Sequence, residues 1–297
     1  MSKQQPIPGS NATVMSDRAG ERDHEAPNNP TGAGIVFAGG CPRSGLTLLR
    51  KMVAPHPQIL AGPDTGIAPS VAFQWKNFAE TLGGLHRDHF DLSPGMVAET
   101  MGRFLAGALR AESEARIIVE KTSLNVAAFE ALADMLPGAK FIHVVRDGRD
   151  VVASLLERDW RDPATGAAFA HVTDPAAAID YWASLIAAGI AAERKLAGAG
   201  RMLRLRYEDL AGRPRATLAA VCKFIGAAWP IEGAIPPALE NSDYRGMERD
   251  SLPMLLGPVT PTQIGRYKKM LSPATQDLIT ARAGPALTAL GYLPGQN

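Results

Sequence analysis

Residues 34–53, GIVFAGGCPRSGLTLLRKMV, constrain the fold more than any other stretch. Ile35-Val36-Phe37-Ala38 is a short apolar run rich in β-forming residues, as a strand buried on both faces requires. Gly39-Gly40 and Gly45 bracket a tight loop, and Leu46 to Val53 resume with helical periodicity. Strand, glycine loop and helix in this order aim backbone N–H groups and a helix N-terminus at an anion. An α/β domain around a central parallel sheet is expected.

The nucleotide-binding form of such a loop reads G-x-x-x-x-G-K-[ST]. Here Gly40 to Thr47 read GCPRSGLT, so Leu46 stands where the lysine belongs and the cation is Arg43, three residues upstream. A kinase or NTPase without that lysine lacks the point charge on its β- and γ-phosphates. The plain alternative is a glycine turn of no particular function.

The 297 residues can bury a full core, as one large α/β domain or two small ones. Lys plus Arg number 31 against 30 Asp plus Glu, so no global field favours nucleic acid or an anionic membrane. Any anion site must be local. The two cysteines, Cys41 and Cys222, cannot form a disulfide framework. Cys41 sits in the anion loop, either with a depressed pKa beside Arg43 or as a small residue that fits the turn. No run of eighteen apolar residues and no apolar signal-peptide core is seen, so no transmembrane segment and a cytoplasmic setting are expected. Residues 1–32 read as a disordered tail and 33–297 as the domain. The sequence bears no mark of oligomeric state, and a homodimer is compatible with it.

Ile59-Leu60-Ala61 read as a second strand, followed by the turn-prone Gly62-Pro63-Asp64-Thr65-Gly66. Asp64 then either faces the crevice at the strand ends or caps the turn or the helix after it. Helical pieces follow over 71–82 and 93–110, separated by a segment with His86 and His89, whose His-x-x-His spacing lacks a third metal ligand. Arg116 to Lys121 form a third strand that leaves Lys121 at its tip, either solvated or in the crevice. Thr122 or Ser123 is expected to N-cap the next helix, through Met135. Lys140 to Arg146 form a fourth strand, and its tail RDGRDVVAS turns into a helix, so Arg146 and Ser154 can meet around one anion. His143, mid-strand, reads as a core histidine. Residues 158–174 read as a mobile loop, Pro175–Leu196 as a long helix, and 201–206 as a fifth strand leading into Tyr207-Glu208-Asp209-Leu210. Helices over Pro214–Ile225 and Pro273–Leu290 complete the chain, with the cation-rich 264–269 between them.

Taken together, the Arg43 loop, the Arg146/Ser154 motif and Arg206-Tyr207-Glu208-Asp209-Leu210 resemble, in order and spacing, sulfotransferases that use 3′-phosphoadenosine-5′-phosphosulfate (PAPS). The likeness covers about residues 34–290 and is greatest to the tyrosylprotein sulfotransferases. It implies a P-loop-like three-layer α/β/α fold and transfer of a sulfuryl group to an acceptor hydroxyl (tyrosine, sugar or small metabolite), with no metal. By that resemblance Arg43, Ser44, Gly45, Leu46 and Thr47 hold the 5′-phosphosulfate, and Arg146 with Ser154 hold the 3′-phosphate. Ser251 and Arg266 match cofactor-contacting positions, Tyr207 lies near the adenine, and Lys121 steadies the transferring group. Asp64 falls where the family has its catalytic glutamate.

Three departures follow. Asp64 is one methylene shorter than that glutamate. Gly66 and Ser70 stand where tyrosylprotein sulfotransferases carry arginines that grip acidic peptides. The membrane anchor and disulfide cysteines of that group are absent from the sequence. Two rivals remain: a P-loop kinase or NTPase, and a non-catalytic module that binds the product nucleotide PAP.

Overall fold

The computed structural model describes residues 30–82, 92–111, 113–228 and 259–294. Five strands form one sheet: β1 (Ile35–Gly39), β2 (Ile59–Leu60), β3 (Ile117–Lys121), β4 (Lys140–Val145) and β5 (Met202–Arg206). All pairings are parallel, in the order β2-β3-β1-β4-β5. The central strand alternates its side chains between two cores, as the two-residue period of a strand demands. Ile35 and Phe37 enter one core and Val36 and Ala38 the other.

On the Phe37 face lie α2 (Ile67–Asn77), α3 (Pro94–Arg110), α4 (Asn125–Met135), α5 (Gly148–Leu155), α7 (Pro175–Leu196), with the one-turn α6 (Ala170–Thr173) packed against it, and, last in the chain, α11 (Pro273–Ala289). On the other face α1 (Leu46–Val53), α8 (Tyr207–Gly212) and α9 (Pro214–Ile225) pack over Val36, Ala38, Ile142 and Val144. The short α10 (Tyr267–Met270) precedes α11. This is the expected three-layer arrangement.

Helix α7, extended to Ala199, is long and apolar enough to cross a membrane by length and composition, with a mean hydropathy of 1.3. Its Ile179, Trp182 and Ile186 are nevertheless fully buried in the core against the sheet. His143 fills the gap left by Gly189, where a Cβ would stand 2.4 Å from Nε2. The reading of His143 as a core residue holds. It bonds Glu193 Oε1 through Nδ1 at 2.7 Å and meets the Phe129 ring edge-on.

Several boundaries differ from the sequence reading. Helix α2 begins at Ile67, four residues early, because Thr65 Oγ1 accepts the Ile67 N–H at 3.2 Å. A single π-turn, Phe78–Leu82, continues it. Neither Thr122 nor Ser123 caps α4, whose N-cap is Leu124 without a side-chain bond. Residues 158–174 are folded against the protein: Arg161 and Ala168 form an antiparallel bridge, and His171 stacks on Tyr181 at 4.2 Å and on Phe169 at 5.4 Å. Ser251, His86, His89 and the tail before Pro30 lie outside the described residues.

Candidate active site

Parallel pairing brings the carboxyl ends of β1, β3 and β4 to one edge, the position where open α/β sheets bind ligands. Ala38 is opposite Lys121, and Gly39 is opposite His143. The glycine loop leaves β1 and is tied to the β3 tip by a Gly40 N–H bond to Ser123 O at 3.1 Å. A Cβ on Gly45 would stand 2.6 Å from Tyr207 Cδ2, and its φ of 103° is left-handed, so glycine is required there twice over. Arg43 is the one non-glycine with positive φ among the described residues, at 74°. Such a conformation costs about 1–3 kcal/mol and gathers at ligand clamps.

That strain aims Arg43 at the second anion motif, where Arg43 Nε donates to Ser154 Oγ at 3.0 Å. Arg146, directly after β4, donates to Arg43 O at 3.0 Å and to Gln263 O at 2.7 Å. Its guanidinium lies over the Tyr207 ring, 4.3 Å from the centroid. Asp150 accepts the N–H groups of Gly265 at 2.7 Å and Tyr267 at 2.9 Å, fastening the 263–267 segment onto α5. The two motifs are thus one assembly of Arg43, Gly45, Arg146, Ser154 and Tyr207. Burial raises the Tyr207 phenol, so it stays a neutral ring beneath Arg146.

The assembly suits an anion at both ends. Ser44 Oγ and Arg146 Nε are buried with no hydrogen-bond partner among the described residues, one in each motif, whereas buried polar atoms are ordinarily paired. Helix α1 has Gly45 at its N-cap and no side-chain cap bond, so the N–H groups of its first turn, at Leu46 and Thr47, have no intrahelical partner. Leu46 itself is 4% exposed and packs into the core. The position of a P-loop lysine is therefore filled by core packing, which removes the basis for the kinase reading.

Across the cleft, Lys121 is 2% exposed and forms an ion pair with Asp64 Oδ1. The solvated alternative for Lys121 falls, and so does Asp64 as the cap of the following helix, since α2 has Gly66 at its N-cap and no side-chain cap bond. Arg266 forms a bidentate pair with Glu157, at 2.9 and 2.7 Å, and its charge also acts on the Tyr207 phenol of the Arg146 assembly. Cys41 is fully buried and burial drives its thiol far up, so it is a packing residue and not a reactive thiolate. Glu120 and Thr122, which bond one another beside this pair, carry no motif and escape sequence reasoning; only their place beside Lys121 marks them. Among the described residues no three His, Cys, Asp or Glu side chains converge as a metal site requires.

A family model described as "Sulfotransferase family" matches residues 36–230, so the chain belongs to the sulfotransferase family. Protein-tyrosine sulfotransferase 2 of Gallus gallus is 27% identical over 89% of this chain and 70% of its own length. Protein-tyrosine sulfotransferase A of Caenorhabditis elegans is 24% identical over 89% of this chain and 68% of its own. Among solved structures, the sulfotransferase domain of the Synechococcus PCC 7002 olefin synthase aligns with a TM-score of 0.59 at 21% identity, covering 92% of this chain and all of that one. The reaction class read from the two motifs, PAPS-dependent sulfuryl transfer, is that of the family.

Proposed function

We propose that Asp64 is the base of this sulfotransferase and Lys121 its electrostatic partner, acting on an acceptor hydroxyl between them and the Arg43 loop. The observation that carries this reading is the pairing of the buried Lys121 with the exposed Asp64 beside two motifs with orphaned donors. When bound, PAPS supplies the sulfuryl group, whose bond to the 5′-phosphate oxygen breaks as the acceptor oxygen bonds to sulfur. Asp64 takes the hydroxyl proton on its carboxylate, a role worth about 10²–10⁴-fold in rate. Lys121 and Arg43 offset the negative charge that develops between them. Arg146, Ser154 and Ser44 hold the nucleotide's phosphates.

The acceptor we propose is a hydroxyl without acidic flanks. The relatives are named for protein tyrosine, but a charged grip is lacking at two positions here. A Cβ on Gly66 would touch nothing within 4 Å, and the Ser70 hydroxyl folds back on Gly66 O at 2.7 Å. The exposed Leu124 by the β3 tip makes that rim apolar. A reducing, cytoplasmic setting is also proposed, supported by Cys41 and Cys222 being free and buried.

Calorimetric titration with PAP, with and without magnesium and against ATP, tests the cofactor site. Binding of PAP indifferent to magnesium is expected; magnesium-dependent ATP binding instead would restore the kinase. Asp64→Ala should then abolish turnover of labelled PAPS while PAP affinity holds. Equal loss of both would remove Asp64 from the role of base.

A further inference from the structure

The loop that carries Asp64 is fastened from outside itself. Thr65 and Gly66 both donate their backbone N–H groups to Thr122 Oγ1, at 3.3 Å each. The Thr122 hydroxyl donates in turn to Glu120 Oε1 at 2.6 Å, and the Thr65 hydroxyl donates to the same oxygen at 2.9 Å. A hydroxyl has one proton and two lone pairs, so Thr122 is used in full. The second Glu120 oxygen accepts from Asn125 Nδ2, which also bonds Ala38 O in β1 at 3.1 Å.

Glu120, Thr122 and Asn125 are all buried. Each member of the ion pair is therefore flanked in sequence by a clamp residue: Thr65 beside Asp64, Glu120 and Thr122 beside Lys121. Along an extended chain neighbours point to opposite sides, so Lys121 faces Asp64 while Glu120 and Thr122 turn to the loop behind it.

We propose that Thr65, Glu120 and Thr122 are positioning residues that hold the Asp64 carboxylate against Lys121 and toward the acceptor hydroxyl. The inference rests on Asp64 being the base. Misplacing a reacting group by about 1 Å costs about 10²-fold in rate.

Thr122→Val removes the hydroxyl at nearly constant shape, and Thr122→Ser restores it. Turnover is measured with radiolabelled PAPS and 4-nitrophenol as acceptor probe, PAP affinity by calorimetry, and the Asp64–Lys121 pair in a crystal structure of the variant. Thr122→Val is expected to lower kcat by about 10²-fold with PAP affinity within about twofold, to separate Asp64 from Lys121, and to be rescued in Thr122→Ser. Wild-type kcat, an undisturbed pair, or loss of PAP affinity in step with kcat would overturn the clamp. Asp64→Asn separates the two claims. If it keeps wild-type turnover, the base assignment fails; if it collapses while Thr122→Val does not, the clamp alone fails. Adding Thr122→Val to Asp64→Asn should cost nothing further, and an additive loss would count against the clamp.

Discussion

Two carboxylates, the buried Glu120 at the β3 tip and the partly buried Glu193 on α7, are both disfavoured as charges by burial and settle in opposite directions. Burial pushes both up. Glu193 accepts from Arg204 Nε at 2.9 Å and pairs with His143 Nδ1 at 2.7 Å, and these partners hold it down to about 2. Among the described residues Glu120 receives the neutral donors of Thr122, Asn125 and Thr65, and the Asp64 charge nearby repels it, so its carboxyl stays raised. The cation adjacent to Glu120 in sequence, Lys121, is directed to Asp64. The comparison teaches that the cleft directs Lys121 to Asp64, the proposed base, while Glu120 is held by dipoles. Away from the cleft, Glu193 is anchored by full charge.

The largest test of that contrast is Glu120→Ala against Glu193→Ala. The first should cut turnover by about 10²-fold in the folded fraction, through a displaced Asp64. The second should leave turnover per folded molecule unchanged and lower stability by roughly 1–3 kcal/mol, through the stranded His143 and Arg204. A loss of turnover in Glu193→Ala, measured on folded protein, would erase the distinction. Next in size is Gly45→Ala, which should abolish PAP binding because its Cβ meets Tyr207 in a left-handed backbone; calorimetry reads it directly.

The pH dependence of stability sharpens the contrast further. Glu193 is depressed, so its stabilisation is present above about 4.5 and lost as pH falls toward about 2. The melting-temperature gap between wild type and Glu193→Gln should close over that window. Glu120 is raised, so its contribution is present below about 4.5 and lost as pH rises through its folded value. Wild type should therefore lose ground to Glu120→Gln as pH rises, the opposite slope. Parallel slopes would mean the two carboxylates are not held differently.

Much of the fold was legible because strands here are short apolar runs ended by breakers. Helices α7 and α9 match their expected bounds, each opened by a proline at its first turn. The cleft residues were legible where a motif carries them. The clamp was not. A threonine after a strand looks the same whether it caps the following helix or accepts N–H groups from a loop 57 residues away. Glu120-Lys121 reads as an ordinary charged strand end, and only the sheet's register against Phe37 and Ala38 shows that both are buried. The bond from Arg43 to Ser154 spans 111 residues, and nothing local encodes the direction of the arginine. The pairing of Arg266 with Glu157, 109 residues away, is equally silent in sequence.

Arg146, bound to the carbonyls of Arg43 and Gln263 and laid on Tyr207, joins the glycine loop and the 263–267 segment to the tip of β4. With Arg146 on the 3′-phosphate, as proposed, a nucleotide carrying both phosphates would engage both motifs at once, whereas one lacking the 3′-phosphate would leave Arg146 Nε without a partner among the described residues. Cofactor length would then be sensed by the loop and the β4 tip together, before any acceptor arrives.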